Sequence, residues 1–272
     1  TIRRAFDRVA KGNDMVVVEG TGHAGVGSVF DMDNAHVARL LAAPTIIVSC
    51  GGIGRPFDEI TLNRTMFEKN NVPILGVIVN KVRPDKITET SDYLAKAFHR
   101  VGLPLLAVIP RQPPLLRPTI ATVVKTLKGE LLHGEKNLGT HVRQFIIGAM
   151  TPHRALHYIK GNSLLVTPGD RDDLVLTAIS LTSTATNRRG RTVAGIVLTG
   201  GVRPRRSVMR VIQRTDIPVV LTREDTFYVA SQLHDMMVKI TPDDRRKIKL
   251  VRDLYEKHVA VDTLLERMNA LL

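Results

Sequence analysis

The 272-residue chain is long enough for two ordinary domains, and at 43% hydrophobic residues each can bury a sizeable core. A formal charge of +13 points to an anionic partner such as a nucleotide or phosphate. With 4% aromatics and no Trp, nucleic acid is the weaker partner class, because its binders stack bases on aromatic rings. One cysteine excludes a disulfide framework and a multi-cysteine zinc site. No apolar run approaches the ~18 residues of a membrane span, and the expected compartment is the cytoplasm.

Residues 2–10 carry an amphipathic helical pattern closed by Gly12. The apolar run at 15–19 ends in Glu19 and reads as a buried parallel strand, followed by a glycine-rich loop at 20–27. Next come a helix near 34–41, a strand at 45–49, a second glycine loop at 51–54 and a helix over 58–69. A strand at 74–79 ends in Asn80-Lys81, a helix covers 86–101, and a strand at 105–109 is closed by Pro110. Residues 111–133 are read as closing the first domain with a helix, and 134–139 as a linker.

The alternation then resumes, with strands at 142–147, 163–167, 193–199 and 218–221. Helices fit 153–160, 172–183, 206–214 and 226–237, and 243–272 reads as one or two surface helices. The fold class is therefore α/β, with two α/β domains built on mostly parallel sheets. The expected boundaries are 1–138, 139–250 and a C-terminal helix at 251–272.

In open parallel sheets ligands sit beyond the carboxyl ends of strands, where Glu19, Asn80 and Pro110 are expected. An acid in that position can hold Mg²⁺, and the glycines of Gly20-Thr21-Gly22 let backbone N–H groups approach phosphate oxygens. A tight strand-to-helix crossover would use the same glycines. The spacing Gly20-x4-Gly25 resembles a Walker A loop, but Val26 and Gly27 stand where Lys and Ser or Thr are required. The Asn80 amide can donate and accept at once, as a base edge demands, although Asn also simply terminates strands.

In the second half, Asp170-Arg171 and Thr199-Gly200-Gly201 each close a strand. Arg171 with the glycine turn could hold an anion, and Arg203, Arg205, Arg206 and Arg210 would add to its field; a helix cap at Asp170 and a solvated arginine face are the plainer alternatives. His153 and His157 share a helix face without a third metal ligand, which favours a solvated face. Cys50 has no paired base and is expected to be structurally buried.

Taken together these motifs resemble a known pair of modules. Residues 1 to about 138 resemble the later part of a dethiobiotin synthetase-like (BioD-like) P-loop ATPase domain, a group that includes cobyrinic acid a,c-diamide synthases. The matching stretches are Val17-Val18-Glu19-Gly20-Thr21-Gly22, Gly76-Val77-Ile78-Val79-Asn80-Lys81-Val82 and Val108-Ile109-Pro110. Residues from about 140 to 250 resemble the DRTGG domain, through Asp170-Arg171 and Thr199-Gly200-Gly201. The same pair occurs in the amino-terminal part of long phosphotransacetylases.

This resemblance implies ATP and Mg²⁺ as cofactors. Glu19 would be the metal-binding and catalytic acid, Gly20, Thr21 and Gly22 the adjoining loop, Asn80 with Lys81 the base contact, and Pro110 its flank. It implies an ATP-dependent activation of a small carboxylate or, alternatively, a non-catalytic nucleotide sensor with a phosphotransacetylase-type partner. It further implies that a Walker A segment precedes Thr1 in the parent protein, and that the gap left by its strand favours homo-oligomers.

Overall fold

The computed structural model describes residues 1–183, 192–242 and 244–270. The chain forms two compact units, one of Thr1–Gln112 with Pro242–Leu272 and the other of Pro113–Thr241.

In the first unit, α1 (Ile2–Ala10) and α2 (Asn34–Leu41) precede β1 (Thr45–Cys50), α3 (Gly54–Lys69), β2 (Ile74–Val82), α4 (Ile87–Arg100) and β3 (Leu105–Pro110). The three strands pair in parallel in the order β1-β2-β3. Side chains alternate across a strand, so β2 sends Val77 and Val79 to one face and Ile78 to the other. The first face packs with Ile60 and Phe67 of α3 and with Leu94 and Phe98 of α4. The chain returns to this unit through α10 (Arg245–His258) and α11 (Val261–Asn269). Val259, between those helices, packs with Ile78, Ala107 and Ile109 on the opposite face.

The second unit runs α5 (Ile120–Leu127), β4 (Glu130–His133), β5 (Gln144–Ile147), α6 (Pro152–Tyr158), β6 (Ser163–Pro168), α7 (Asp172–Ser183), β7 (Val193–Thr199), α8 (Arg206–Ile212), β8 (Val219–Leu221) and α9 (Thr226–His234). Its sheet has the order β4-β8-β7-β6-β5, parallel throughout except for β4, which pairs antiparallel with β8. Every residue of the central strand β7 is buried, as a strand covered on both faces requires. Leu165, Ile196 and Leu198 face α6, α7 and α8, while Leu164, Val166 and Val197 face α5 and α9. The result is a three-layer α/β/α sandwich.

The elements and boundaries depart from the sequence reading in three places. Residues 15–19 form no strand, and Val17 is 87% exposed. An apolar run becomes a strand only where a neighbour takes up its N–H and C=O groups, and β1, β2 and β3 pair only with one another among the described residues. Residues 113–138 pack in the second unit instead of closing the first: Ile120, Val123 and Leu127 of α5 sit against Leu164 and Val197, and residues 130–133 are a strand on β8. At the far end, α10 runs continuously across position 250 and packs with the first unit, so no boundary falls there. The expected helical end points Asp243 and Leu272 lie outside the described residues.

Candidate functional site

In the first unit the glycine-rich loop at 20–27 is fastened to two helices by amide side chains. Asn34, the first residue of α2, donates from Nδ2 to the carbonyls of Thr21 (2.9 Å) and His23 (2.8 Å), and its Oδ1 accepts the Thr21 N–H at 3.3 Å. Asn63 of α3 accepts the Ala24 N–H at 2.6 Å. Ala24 is the loop's buried anchor, whereas Glu19, Gly20, Thr21 and Gly22 are exposed.

Asp33 caps α2 by accepting the His36 N–H at 2.9 Å and contacts the His36 ring at 2.7 Å. Burial pushes the Asp33 carboxyl up, and the His36 backbone and ring outweigh this, holding it below the ordinary carboxylate value. A depressed folded value means stability that is present above the unfolded value near pH 4 and lost as the pH falls through the folded one. Asp33→Ala is expected to cost about 1 kcal/mol at pH 7. The gap between wild type and variant should shrink in acid, and urea unfolding followed from pH 7 to pH 3 would reveal a constant gap if the assignment were wrong.

At the carboxyl end of the sheet, Cys50 is in register with Asn80, and Val82 with Pro110. Asn80, Lys81 and Pro110 thus lie on adjoining strand ends. The Asn80 side-chain oxygen accepts the Lys81 N–H at 2.8 Å, leaving Nδ2 as the end of the amide turned to other partners. Lys81 takes the left-handed conformation (φ 59°), and its neighbour across the strands, Gly51, donates its N–H to the Asn80 carbonyl at 2.7 Å. A Cβ on Gly51 would come within 3.0 Å of the Lys81 carbonyl, which explains a glycine at this crossing. A shallow cleft of about 250 Å³ opens beside these strand ends, between Gly52, Ile53, Val82, Arg83, Lys86 and Thr90.

Helix α3 reaches the end of β1 and the first glycine loop with residues at four-residue spacing, one above another on the same face. Arg55 pairs with Glu59 at 2.7 Å and holds its carboxyl below the ordinary value. Glu59 accepts from Ser49, buried at the end of β1, at 3.2 Å, and Asn63 holds Ala24. Sequence reasoning missed Asn34 and Asn63. The signal was available as Arg55-x3-Glu59-x3-Asn63, polar residues at one helical period after a glycine turn.

In the second unit the structure brings the two predicted segments together. Pro168 is in register with Thr199, and Gly169 donates its N–H to the Thr199 carbonyl at 3.3 Å. Thr199 is buried, with its hydroxyl 2.7 Å from that of Thr226. Gly200 and Gly201, both at positive φ, donate N–H groups to the carbonyls of Glu224 and Thr222 at 2.8 Å each.

Arg171 is turned inward to its own unit. It forks onto Asp173 with two bonds of 2.9 Å and donates to the carbonyls of Met150 (3.0 Å) and Gly148 (3.4 Å). The Asp173 hydrogen bond raises the Arg171 value, while Arg171 lowers that of Asp173. The guanidinium thereby ties the ends of β5 and β6 to the start of α7. Asp170 is exposed beside it.

Arg203 forks onto Glu130 at 2.6 and 2.7 Å, and Arg205 reaches Asp172 at 3.5 Å; Arg206 and Arg210 lie on an exposed helix face. His153 and His157 are both exposed, and His157 Nδ1 lies 3.1 Å from the His153 carbonyl oxygen. Cys50 is exposed as well, contrary to the burial expected for it, because it points to the sheet face that Val259 covers only farther along.

Known proteins place this pair of units in context. Residues 2–119 match the AAA domain family and residues 122–236 the DRTGG domain. The two matches follow one another along the chain, an AAA domain stretch and then a DRTGG domain stretch. Among curated proteins it is similar to phosphate acetyltransferases. That of Nitratidesulfovibrio vulgaris is 28% identical over 98% of this chain and 39% of its own length. That of Pseudomonas putida is 28% identical with the same two coverages. The chain thus spans about two-fifths of the length of these relatives.

Among solved structures it is similar to the CBS and DRTGG domains of the regulatory region of Clostridium perfringens pyrophosphatase, complexed with the activator diadenosine tetraphosphate. There the TM-score is 0.37 and the identity 14%, over 63% of this chain and 84% of that one. No helix among the described residues is long and apolar enough to cross a membrane.

Proposed function

We propose that the chain is a nucleotide-sensing regulatory module, whose first unit binds ATP with Mg²⁺ and whose DRTGG unit passes the signal to an attached or associated phosphate acetyltransferase-type partner. The observation that carries this reading is the tandem AAA and DRTGG order, matched over 98% of the chain to phosphate acetyltransferases. Mg²⁺ retains several waters and takes one or two carboxylates beside the phosphates, so a single exposed Glu19 suits it. Bound Mg²⁺ would screen the phosphate charge.

The chain's own residues supply the remainder of this site. The backbone N–H groups of Gly20 and Gly22 face the phosphates on either side of Thr21, whose own N–H and carbonyl Asn34 holds; Lys81 adds positive charge, Asn80 donates from Nδ2 to an acceptor on the base, and Pro110 flanks the ring. Asp170, Arg171, Thr199, Gly200 and Gly201 form the loop pair through which the DRTGG unit meets its own ligand or partner, Arg171 and Thr199 holding the loops from inside while Asp170, Gly200 and Gly201 lie at the surface. The setting is cytoplasmic and the assembly a homo-oligomer.

A second reading, ATP-dependent activation of a small carboxylate in the manner of dethiobiotin or cobyrinate synthetases, is favoured by the Glu19-Gly20-Thr21-Gly22 loop and its fixed backbone. Calorimetric titration with Mg·ATP, combined with an assay for ADP, separates the two. Saturable binding without ADP release is the expected result. Glu19→Gln should weaken it roughly tenfold with Mg²⁺ and little in EDTA, a tenfold change being about 1.4 kcal/mol. No binding would overturn the proposal, and ADP release dependent on an added carboxylate would move it to the second reading.

A further inference from the structure

We infer that Asn34 and Asn63 are positioning residues, a pair of amide clamps that fix the backbone of residues 20–25 in the form that meets the ligand. For the identity of that ligand the inference rests on the nucleotide reading above; the clamps themselves stand on geometry. An exposed loop with glycines at 20, 22, 25 and 27 has a broad choice of backbone conformations, and apolar packing holds it only at Ala24. Local bonds steady the turn at Gly25, whose N–H meets the His23 ring at 3.2 Å and whose carbonyl accepts from the Ser28 hydroxyl at 2.6 Å, and the Asn34 and Asn63 amides tie residues 20–24 to the helices. Asn34 uses both ends, with two donated bonds and one accepted, and its Oδ1 would lie 3.1 Å from a Cβ on Gly20. Its own N–H donates to the Ala24 carbonyl at 3.1 Å. Asn63 holds Ala24 with its oxygen and sends Nδ2 to the Glu59 carbonyl within its own helix, at 2.7 Å.

The two clamps therefore differ chemically. At position 63 the bond to the loop is accepted by oxygen, so aspartate keeps it and loses only the bond that Nδ2 makes to the Glu59 carbonyl within α3. At position 34 the principal bonds are donated by nitrogen, and a carboxylate there would face the carbonyls of Thr21 and His23.

The test measures hydrogen exchange at the Thr21 and Ala24 amides, together with Mg·ATP affinity, in Asn34→Asp, Asn63→Asp and Asn63→Ala. Exchange is expected to rise at least tenfold at Ala24 in Asn63→Ala, and at Thr21 in Asn34→Asp, where repulsion between the carboxylate and the Thr21 and His23 carbonyls displaces the loop from the oxygen that the Thr21 N–H meets. Asn63→Asp should stay within twofold of wild type. Affinity should fall about tenfold in the two loosened variants and hold in Asn63→Asp, a rescue that general destabilisation would not produce. Equal behaviour of the two aspartate variants overturns the clamps. Loosening without loss of affinity overturns the positioning role. A wild-type chain that shows the exchange pattern yet binds no Mg·ATP overturns the nucleotide reading instead.

Discussion

Gly169→Ala is expected to lower the unfolding free energy of the second unit by about 3 kcal/mol, an effect at the upper end for overpacking. A Cβ built on Gly169 would stand 1.7 Å from the carbonyl oxygen of Val202 and 2.7 Å from its carbon. Those atoms are backbone, so no rotamer change can make room. The loop that carries them is held by Gly200 and Gly201 donating to the carbonyls of Glu224 and Thr222, which resist displacement. Gly139→Ala is the control, because a Cβ there meets nothing within 4 Å. Urea unfolding of the two variants should differ by most of the predicted amount, and similar midpoints would refute the close approach of the Gly169 and Val202 backbones.

Phe98→Ala should be the most damaging single truncation in the first unit, at about 4 kcal/mol. The side chain is 1% exposed and packs in the cluster with Leu94, Ile60 and Val77, with its ring 5.1 Å from that of Phe57. It thereby joins α4 to α3 across the sheet face. Its carbonyl accepts the N–H of Leu103 in the turn to β3, so a collapsing cavity would also disturb the approach to that strand. Loss of less than about 1.5 kcal/mol on denaturant titration would mean that the surrounding residues refill the space.

The alternation of strands and helices was legible because each element carries its own periodicity and caps. Asp33, Thr119 and Asp225 start helices with side-chain caps, and β7 reads as a continuous apolar run because both of its faces are covered. Residues 15–19 show the limit of that logic. Their pattern reports a preference for a buried strand, but a strand needs a partner edge, which local sequence does not contain. The position of β4 was hidden for a related reason: its pairing with β8 spans nearly ninety residues, while the apolar character of 131–132 suits a helix end equally well. For the candidate site, the glycine loops and strand-end residues stood out by type. The amide clamps did not, since Asn34 and Asn63 gain meaning only from which carbonyls and amides they reach. Arg171 was legible as important, yet its bonds to Gly148, Met150 and Asp173 are tertiary facts.

The path of the chain also sets an order of assembly. Residues 113–241 interrupt the first unit between β3 and α10, so a growing polypeptide presents β1, β2 and β3 well before α10 and α11 exist. Until then the face formed by Ile78, Ala107 and Ile109 lacks Val259, and a stalled nascent chain would display it as bare apolar surface open to chaperones. The closing helices are synthesised only after the DRTGG unit is finished, so a sealed first unit is itself a sign that the second has been made.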